Sequence, residues 1–229
     1  MQYIRKNNCI VQKKLESDFH LIYIINNDAN KKSLIKYIKG FRRSKKTIQD
    51  IYKKLENINH KNIIKIYDVV TIQDDFFVHM QYIEGKTLNQ YIKREYYYIY
   101  DKSLNIFKTL FTNIATTIDF IHKNKIIHTD IIGANIIIDN KLNITIIDFD
   151  FALIINNSAI DRAAKIDIYG FIVMFSQILY EQIYLNENYS FFNNDDIAIK
   201  KSMLKDFISQ KGLKKYTACM EFIDDIFKK

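Results

Sequence analysis

The chain has 229 residues, of which 48% are hydrophobic and 26% are charged, and its formal net charge at pH 7 is +8. This balance excludes an intrinsically disordered chain, and the longest apolar stretch, residues 168–180, is too short to cross a bilayer, which takes roughly 20 apolar residues. We therefore expect a globular protein with no membrane partner and, because the lysines are spread along the chain and form no basic block, no nucleic-acid partner.

The N-terminal residues lead into no apolar signal-peptide core, so a cytoplasmic location is expected. The two cysteines, Cys9 and Cys219, lie near opposite ends of the chain without metal-ligand spacing. Ordinary thiols in a reducing compartment fit this pattern, and we assign them no role.

The first part of the chain is predicted to form an antiparallel sheet with one helix. Short β-type runs at residues 9–15, 19–25 and 33–38 are separated by polar, turn-like segments. From residue 45 to residue 58 the apolar side chains recur with the spacing of a helix that buries one face. Two further strands are predicted at residues 63–70 and 76–81.

Beyond residue 84 the pattern changes from short β-type runs to longer helical ones. Helices are predicted at residues 88–97 and 104–123. We expect two lobes within one domain, a sheet with one helix at residues 1–83 and a mainly helical part at residues 84–229.

Two polar motifs lie in the second lobe, each on a turn beside an apolar, strand-like run. Residues 127–135 read I-H-T-D-I-I-G-A-N, and residues 146–150 read I-I-D-F-D. Asp130 and Asn135 are five positions apart, and Asp148 follows a short apolar run. Because carboxylate and amide oxygens are ligands suited to Mg²⁺, the ordered pair predicts a place that holds magnesium and a phosphate.

In this order the motifs resemble those of the eukaryotic-type protein kinase fold, over about residues 10–180. Asp130 and Asn135 have the spacing of the catalytic loop H-R-D-x-x-x-x-N, and Asp148 with Phe149 resembles the start of D-F-G. Four further segments carry the resemblance. Residues 33–38 resemble V-A-I-K, and residues 55–64 resemble the helix end followed by H-P-N-I. Residues 79–88 resemble the hinge, and residues 167–170 resemble the start of the central helix of the second lobe. The resemblance implies an α+β, two-lobed protein kinase-like fold with a five-stranded antiparallel first lobe and a reduced, mainly helical second lobe.

The resemblance also implies roles in phosphoryl transfer from ATP. Asp130 would accept or orient the proton of the attacking hydroxyl, and Lys36 would offer a positive charge to the α- and β-phosphates. Asn135 and Asp148 would bind Mg²⁺. Asp167 would hydrogen-bond the backbone of the catalytic loop.

Three further residues are implied in nucleotide binding, and one in bracing the loop. Backbone groups of Gln81 and Tyr82 at the hinge would meet the purine edge. Glu84 would reach a ribose hydroxyl. His128 would brace the catalytic loop as a core residue, since no second His or Cys lies at metal-ligand spacing.

The first lobe departs from the family pattern in two places. The turn at residues 16–20 contains no glycine where a glycine-rich phosphate loop is expected, and glycine is what permits close backbone approach to phosphate. Ile51 stands where the helix glutamate that pairs with Lys36 is expected, which leaves Asp50 or Glu56 as the candidate partner.

The second lobe departs from the pattern between its motifs. Thr129 replaces the arginine that pairs with a phosphorylated activation loop, so control by that switch is not expected. Asp150 replaces the glycine of D-F-G. From Asp148 to Asp167 the chain runs only 19 residues without A-P-E, far too few for a full activation segment.

The leading hypothesis is an ATP- and Mg²⁺-dependent phosphotransferase, a minimal Ser/Thr protein kinase that transfers the γ-phosphate to a protein hydroxyl. Two alternatives stay open. Residues 147–152, I-D-F-D-F-A, also resemble I-D-F-x-x-A of aminoglycoside and sugar phosphotransferases, which indicates a small-molecule kinase. The missing glycines and Ile51 indicate a catalytically weak pseudokinase that serves as an interaction module.

Overall fold

The computed structural model describes residues 10–16, 20–26, 31–38, 44–72, 75–95, 103–185 and 216–227. The chain divides into two compact units, Met1–Glu84 and Gly85–Lys229. The boundary lies one residue after the one that the sequence predicts.

The first unit is built on an antiparallel sheet. Its elements in the described ranges are β1 (Ile10–Glu16), β2 (His20–Asn26), β3 (Lys32–Ile38), α1 (Lys45–Glu56), β4 (Ile66–Ile72) and β5 (Asp75–Gln81). The strand order across the sheet is β1-β2-β3-β5-β4, with every neighbouring pair antiparallel. The predicted five-stranded antiparallel sheet is confirmed, and the strands begin within three residues of their predicted starts.

Helix α1 forms because its apolar residues share one face and its first turn is capped. The side chain of Ser44 accepts a hydrogen bond from the backbone N–H of Thr47, which satisfies one of the unpaired donors at the helix start. The buried face consists of Ile48, Ile51, Tyr52 and Leu55 and packs against β4 and β5. Position 51 therefore faces the sheet, where an apolar side chain is stable and a carboxylate would need a partner.

The second unit contains short strands between longer helices. Its elements in the described ranges are β6 (Lys86–Thr87), α2 (Leu88–Glu95), α3 (Ser103–Lys123), β7 (Ile126–Ile127), β8 (Ile136–Ile138), β9 (Ile144–Ile146), β10 (Leu153–Ile154), α4 (Ile160–Leu185) and α5 (Cys219–Phe227). Strands β6, β8 and β9 form one small sheet, and β7 pairs with β10. The two polar motifs occupy the turns between these strands. The two units together have the α+β organisation that the sequence predicts.

Aromatic side chains hold the helices of the second unit together. Phe111 on α3, Phe175 on α4 and Phe222 on α5 are all fully buried. The centroid of the Phe175 ring lies 4.8 Å from that of Phe111 and 5.2 Å from that of Phe222, and both pairs have edge-to-face geometry. Such pairs add about 0.5–1.5 kcal/mol each beyond the burial of their area. Helix α4, which carries Asp167, is thereby fixed in the core.

None of the helices in the described ranges carries an apolar stretch of the length that crossing a membrane requires.

The pH dependence of stability tests the packing of the first unit at His79. This side chain lies 2.9 Å from the Ser33 hydroxyl, and burial lowers its pKa, although the Asp68 charge acts in the opposite direction. The unfolded chain then binds a proton at a higher pH than the folded chain does. The free energy of unfolding should therefore fall as the pH drops below about 6.5.

Urea unfolding at pH 7.5 and pH 5.5 measures this effect. His79→Gln keeps a hydrogen-bonding side chain without the titration, so its stability should fall less than that of the wild type over the same interval. Equal losses in the two proteins would show that His79 makes no contribution.

Candidate active site

The catalytic-loop motif is held in place by one buried carboxylate, that of Asp167 on α4. Its Oδ2 accepts hydrogen bonds from the backbone N–H of His128 at 2.7 Å and from Nε2 of His122 at 2.9 Å. Its Oδ1 accepts one from the backbone N–H of Thr129 at 2.6 Å. Asp167 is only 1% exposed, so these donors are what make its burial possible. The predicted bond from Asp167 to the loop backbone is confirmed.

His128 joins the two motifs to each other. It is fully buried, and its Nε2 lies 2.9 Å from the carbonyl oxygen of Ile147, directly before Asp148. Its Nδ1 accepts a hydrogen bond from the backbone N–H of Asp130, so the ring proton is on Nε2 and is donated to Ile147. The ring packs on Phe149 with the centroids 4.5 Å apart. The predicted bracing role of His128 is confirmed.

Asp130 and Asn135 are in direct contact. Nδ2 of Asn135 donates to Oδ2 of Asp130 at 2.8 Å and to the Asp130 carbonyl oxygen at 3.1 Å. Both partners are acceptors, so the nitrogen of the amide must face them and its oxygen must face the other way. Residues Gly133–Asn135 form one turn of 3₁₀-helix, which brings the two side chains together across the five-residue spacing.

Asp148 is held close to this pair through its neighbour in the chain. The backbone N–H of Ile147 donates to the Asn135 carbonyl oxygen at 2.9 Å, while the Ile147 carbonyl oxygen accepts from His128. Asp148 itself has a φ of +62°, a left-handed conformation that is sparsely populated by residues other than glycine and is most accessible to Asn and Asp. Such backbone conformations occur preferentially at functional sites.

The residues around Asp148 fit a magnesium ion in their chemistry. The amide oxygen of Asn135 is turned away from Asp130, and the carboxylate of Asp148 is an anionic oxygen donor. One carboxylate, one neutral oxygen and oxygens from water or phosphate make up the type of ligand set that Mg²⁺ prefers.

Lys36 lies in the middle of β3, opposite Ile22 on β2 and Val78 on β5. Its side chain is only 4% exposed, although lysine side chains are ordinarily solvated. A buried ammonium group has to be compensated by polar or anionic groups. Of the two acidic residues considered as its partner, Asp50 is exposed and Glu56 is half-buried at the last residue of α1.

The hinge residues lie at and after the end of β5. The backbone N–H of Gln81 donates to the Lys65 carbonyl oxygen at 2.9 Å, so the group that Gln81 can offer to a purine is its own carbonyl. Tyr82 is half-buried, with the ammonium of Lys32 lying 5.4 Å from its ring centroid. Glu84 is exposed at the end of the first unit.

Part of the glycine-free turn lies outside the described residues, which omit residues 17–19. Asp150, in place of the expected glycine, is buried at 2% exposure, whereas Phe151 after it is 47% exposed.

A cavity of about 500 Å³ opens beside the catalytic loop within the second unit. Ile131, Ile132 and Gly133 line one side of it, and side chains from α2 and α4 line the rest. Among the described residues its lining is largely apolar and contains no charged side chain. Gly133 allows the loop to lie close to α2, because a Cβ at this position would overlap the Asn89 side chain.

The sequence did not reveal that His122 belongs to this arrangement. It is separated from Asp167 by 45 positions and reaches it from the end of α3. No local pattern connects a histidine near a helix end to a distant aspartate, so only the packing of α3 against α4 brings them together.

Removing the Asp167 carboxylate tests how far the loop depends on it. Asp167→Ala leaves the backbone N–H of His128, a buried donor, without its acceptor. We expect the free energy of unfolding to fall by about 3 kcal/mol or more, as for other buried charged acceptors that are removed. Urea denaturation measures this loss. The control Asp161→Ala, on the exposed first turn of the same helix, should change it by no more than about 1 kcal/mol, and similar losses in both variants would contradict the assignment.

A known protein family and several known proteins are similar to this chain in sequence. The family described as the protein kinase domain matches residues 20–163, which is more than half of the chain. The chain is 32% identical over 130 residues to the serine/threonine-protein kinase PrkC of Bacillus subtilis (strain 168), an alignment that covers 57% of this chain and 18% of that protein. It is 27% identical over 120 residues to mitogen-activated protein kinase kinase kinase 5 of Arabidopsis thaliana, covering 52% of this chain and 16% of the relative.

A further relative is the carbon catabolite-derepressing protein kinase of Secale cereale, with 28% identity over 98 residues, 43% of this chain and 19% of the relative. The alignments thus span less than a fifth of the length of each of these proteins. They confirm the resemblance that the motifs predict. On the extent of the family match, the chain belongs to the protein kinase domain family.

Proposed function

We propose that this protein is an ATP- and Mg²⁺-dependent phosphotransferase that transfers the γ-phosphate of ATP to a serine or threonine hydroxyl of a protein. The observation that carries the proposal is the contact of Asn135 with Asp130, together with the bond from the Asn135 backbone to the residue before Asp148. The Asp130 and Asn135 side chains and the backbone directly before Asp148 are thereby joined in one network. A cytoplasmic location is part of the proposal.

In the proposed mechanism Asp130 accepts the proton of the attacking hydroxyl group. Its Oδ2 accepts the Asn135 amide, which orients the carboxylate so that Oδ1 can accept a hydrogen bond from the attacking hydroxyl. Asp130 thus aligns the hydroxyl and takes up its proton as the hydroxyl oxygen bonds to the γ-phosphorus and the bond from that phosphorus to the leaving ADP oxygen breaks.

Asn135 and Asp148 are the proposed magnesium ligands. When bound, Mg²⁺ neutralises charge on the phosphate oxygens. The role of the chain is to hold two ligand oxygens in a fixed geometry, which it does by bonding the Asn135 amide to Asp130 and the Ile147 backbone to Asn135 and His128. Ligands fixed before binding lose little entropy when the metal arrives.

The first unit is proposed to supply the groups that bind ATP. Lys36, a buried cation on β3, would neutralise the α- and β-phosphates. The Gln81 carbonyl and the backbone of Tyr82 would contact the adenine edge. Glu84, which is exposed, would accept a hydrogen bond from a ribose hydroxyl.

The cavity beside the catalytic loop favours a protein as the acceptor. Its lining is largely apolar and, in the part of the chain that is described, carries no charge. A peptide can place an apolar side chain there, whereas a sugar or aminoglycoside would find polar side chains only at Asn89, Tyr169 and Gln177 among the described lining residues. The relatives named above are protein kinases, which supports the same choice.

A small-molecule acceptor is the second candidate, and the observation in its favour is the short chain between the motifs. Helix α4 begins at Ile160, only twelve positions after Asp148. Peptide acceptors usually need a longer platform. Incubation of the protein with labelled ATP and a cell lysate separates the two candidates, because label in protein bands supports the first and label only in low-mass species supports the second.

Substitution of the proposed catalytic residues tests the activity itself. Asp130→Asn removes the base but keeps the shape of the side chain, and we expect kcat to fall by about 10²- to 10⁴-fold. Asp148→Asn removes a ligand charge while Asn still tolerates the positive φ, so the Mg²⁺ concentration needed for half-maximal rate should rise. Phosphate transfer from labelled ATP measures both.

The matched control for these substitutions is Asp139→Asn, on the exposed turn between β8 and β9 and at the opposite end of that hairpin from Asp148. Its activity should equal that of the wild type. Equal activity of the Asp130→Asn variant and the wild type would contradict the proposed role of Asp130.

Thermal-shift titration tests whether the site binds nucleotide at all, and thereby separates an enzyme from a pseudokinase with an empty site. At 100 times its dissociation constant a ligand stabilises the folded protein by about 2.7 kcal/mol. We expect saturable stabilisation by Mg²⁺ and ATP together, lost in Asn135→Ala and kept in Asn143→Ala, whose side chain bonds Asp139 within the β8–β9 turn. Absence of any shift in the wild type would favour the interaction module.

A further inference from the structure

Thr129 makes a contact between the two motifs that the proposed mechanism does not use. Its hydroxyl donates a hydrogen bond to the carbonyl oxygen of Phe151 at 2.8 Å. Thr129 lies directly before Asp130, and Phe151 lies three residues after Asp148. One side chain therefore bridges the loop of the proposed base and the turn of the proposed metal ligand.

The backbone at Thr129 shows that this position is constrained. Its φ is +67°, a left-handed conformation that is a genuine outlier for a β-branched residue. Such strain persists only where the surroundings hold the backbone in place, and here the Thr129 N–H is bound to the buried Asp167. The hydroxyl is thus aimed from a rigid point on the loop.

The segment that receives the bond is a short turn in which Phe149, Asp150 and Ala152 are buried. Residues 149–152 form a turn closed by the backbone bond from the Ala152 N–H to the Phe149 carbonyl oxygen at 3.0 Å. Phe149 is buried, but Phe151 is 47% exposed, so its side chain does not anchor this end of the turn by burial. Pairing with β7 begins only at Leu153.

We propose that Thr129 is a positioning residue whose hydroxyl holds the turn after Asp148 against the catalytic loop. This inference rests on the proposed function, because the turn matters through the metal ligand that it carries. The bond adds to the Ile147 contacts that position Asp148 relative to Asp130, and so lowers the Mg²⁺ concentration that the reaction requires. Thr129 makes this bond without any covalent modification of its side chain.

Three variants at this position separate the hydroxyl from the rest of the side chain. Thr129→Ser keeps the hydroxyl, Thr129→Ala removes it, and Thr129→Gly removes it while also relieving the backbone strain. If Thr129 affected only the stability of the protein, a Thr129→Gly variant that relieves the backbone strain would keep the wild-type activity. We expect instead that the glycine variant is at least as stable as the alanine variant in urea and yet shows the same functional defect.

Amide hydrogen exchange measures the tether without reference to activity. Amides of residues 150–152 should exchange about fivefold faster in Thr129→Ala than in the wild type, as expected for the loss of one ordinary hydrogen bond, and Thr129→Ser should restore the slow rate. Unchanged exchange in the alanine variant would overturn the proposal, whatever the activity of the protein.

Phosphate transfer at varied Mg²⁺ measures the consequence. The Mg²⁺ concentration for half-maximal rate should rise about fivefold in the alanine and glycine variants and return to the wild-type value in the serine variant, with KM for the acceptor unchanged. Faster exchange with an unchanged Mg²⁺ requirement would overturn the positioning role. A wild type that neither binds Mg²⁺ with ATP nor transfers phosphate would instead overturn the proposed function, and the exchange data would still decide whether the tether exists.

Discussion

The buried carboxylate of Asp167 is the interaction on which the rest of the second unit depends. It lies buried on α4 and accepts hydrogen bonds from two consecutive backbone N–H groups of the catalytic loop and from His122. A buried charge is stable only where such donors surround it, and the loop is stable only where it donates to that charge. The core and the candidate site are therefore stabilised by the same contacts.

From this anchor a chain of hydrogen bonds extends to the second motif. His128, held through its backbone by Asp167, binds the carbonyl oxygen of Ile147, while Asn135 binds the N–H of the same residue and the side chain of Asp130. Positive φ at Thr129 and Asp148 stores backbone strain of about 1–3 kcal/mol at each position. The network supplies the interactions that hold these conformations, which is the usual arrangement of a preorganised site.

The departures from the family pattern have physical accounts where the structure describes them. Ile51 faces the sheet from the buried side of α1, so an apolar residue there stabilises the first unit. The chain between the two motifs and α4 is short, and Phe151, Ile154 and Tyr169 near it are exposed. Membership of the protein kinase domain family is thus compatible with a reduced second unit.

Much of the fold and of the candidate site could be predicted from the sequence, because local patterns carried the information. Runs of β-type residues between polar turns indicated the five strands, and the period of the apolar residues indicated α1. The ordered motifs that contain Asp130, Asn135 and Asp148 carried the resemblance to the protein kinase fold. The burial of Lys36 was not predictable, since a lysine on a strand is usually solvated.

Only the tertiary structure decided how the site is supported. The bond from His122 to Asp167 joins two helices across 45 positions, and the hydroxyl of Thr129 reaches a carbonyl 22 positions away. Neither residue type has a local signature for such a partner. Short-range patterns in a sequence determine which segments become strands, helices and turns, whereas contacts between distant side chains depend on how those segments pack.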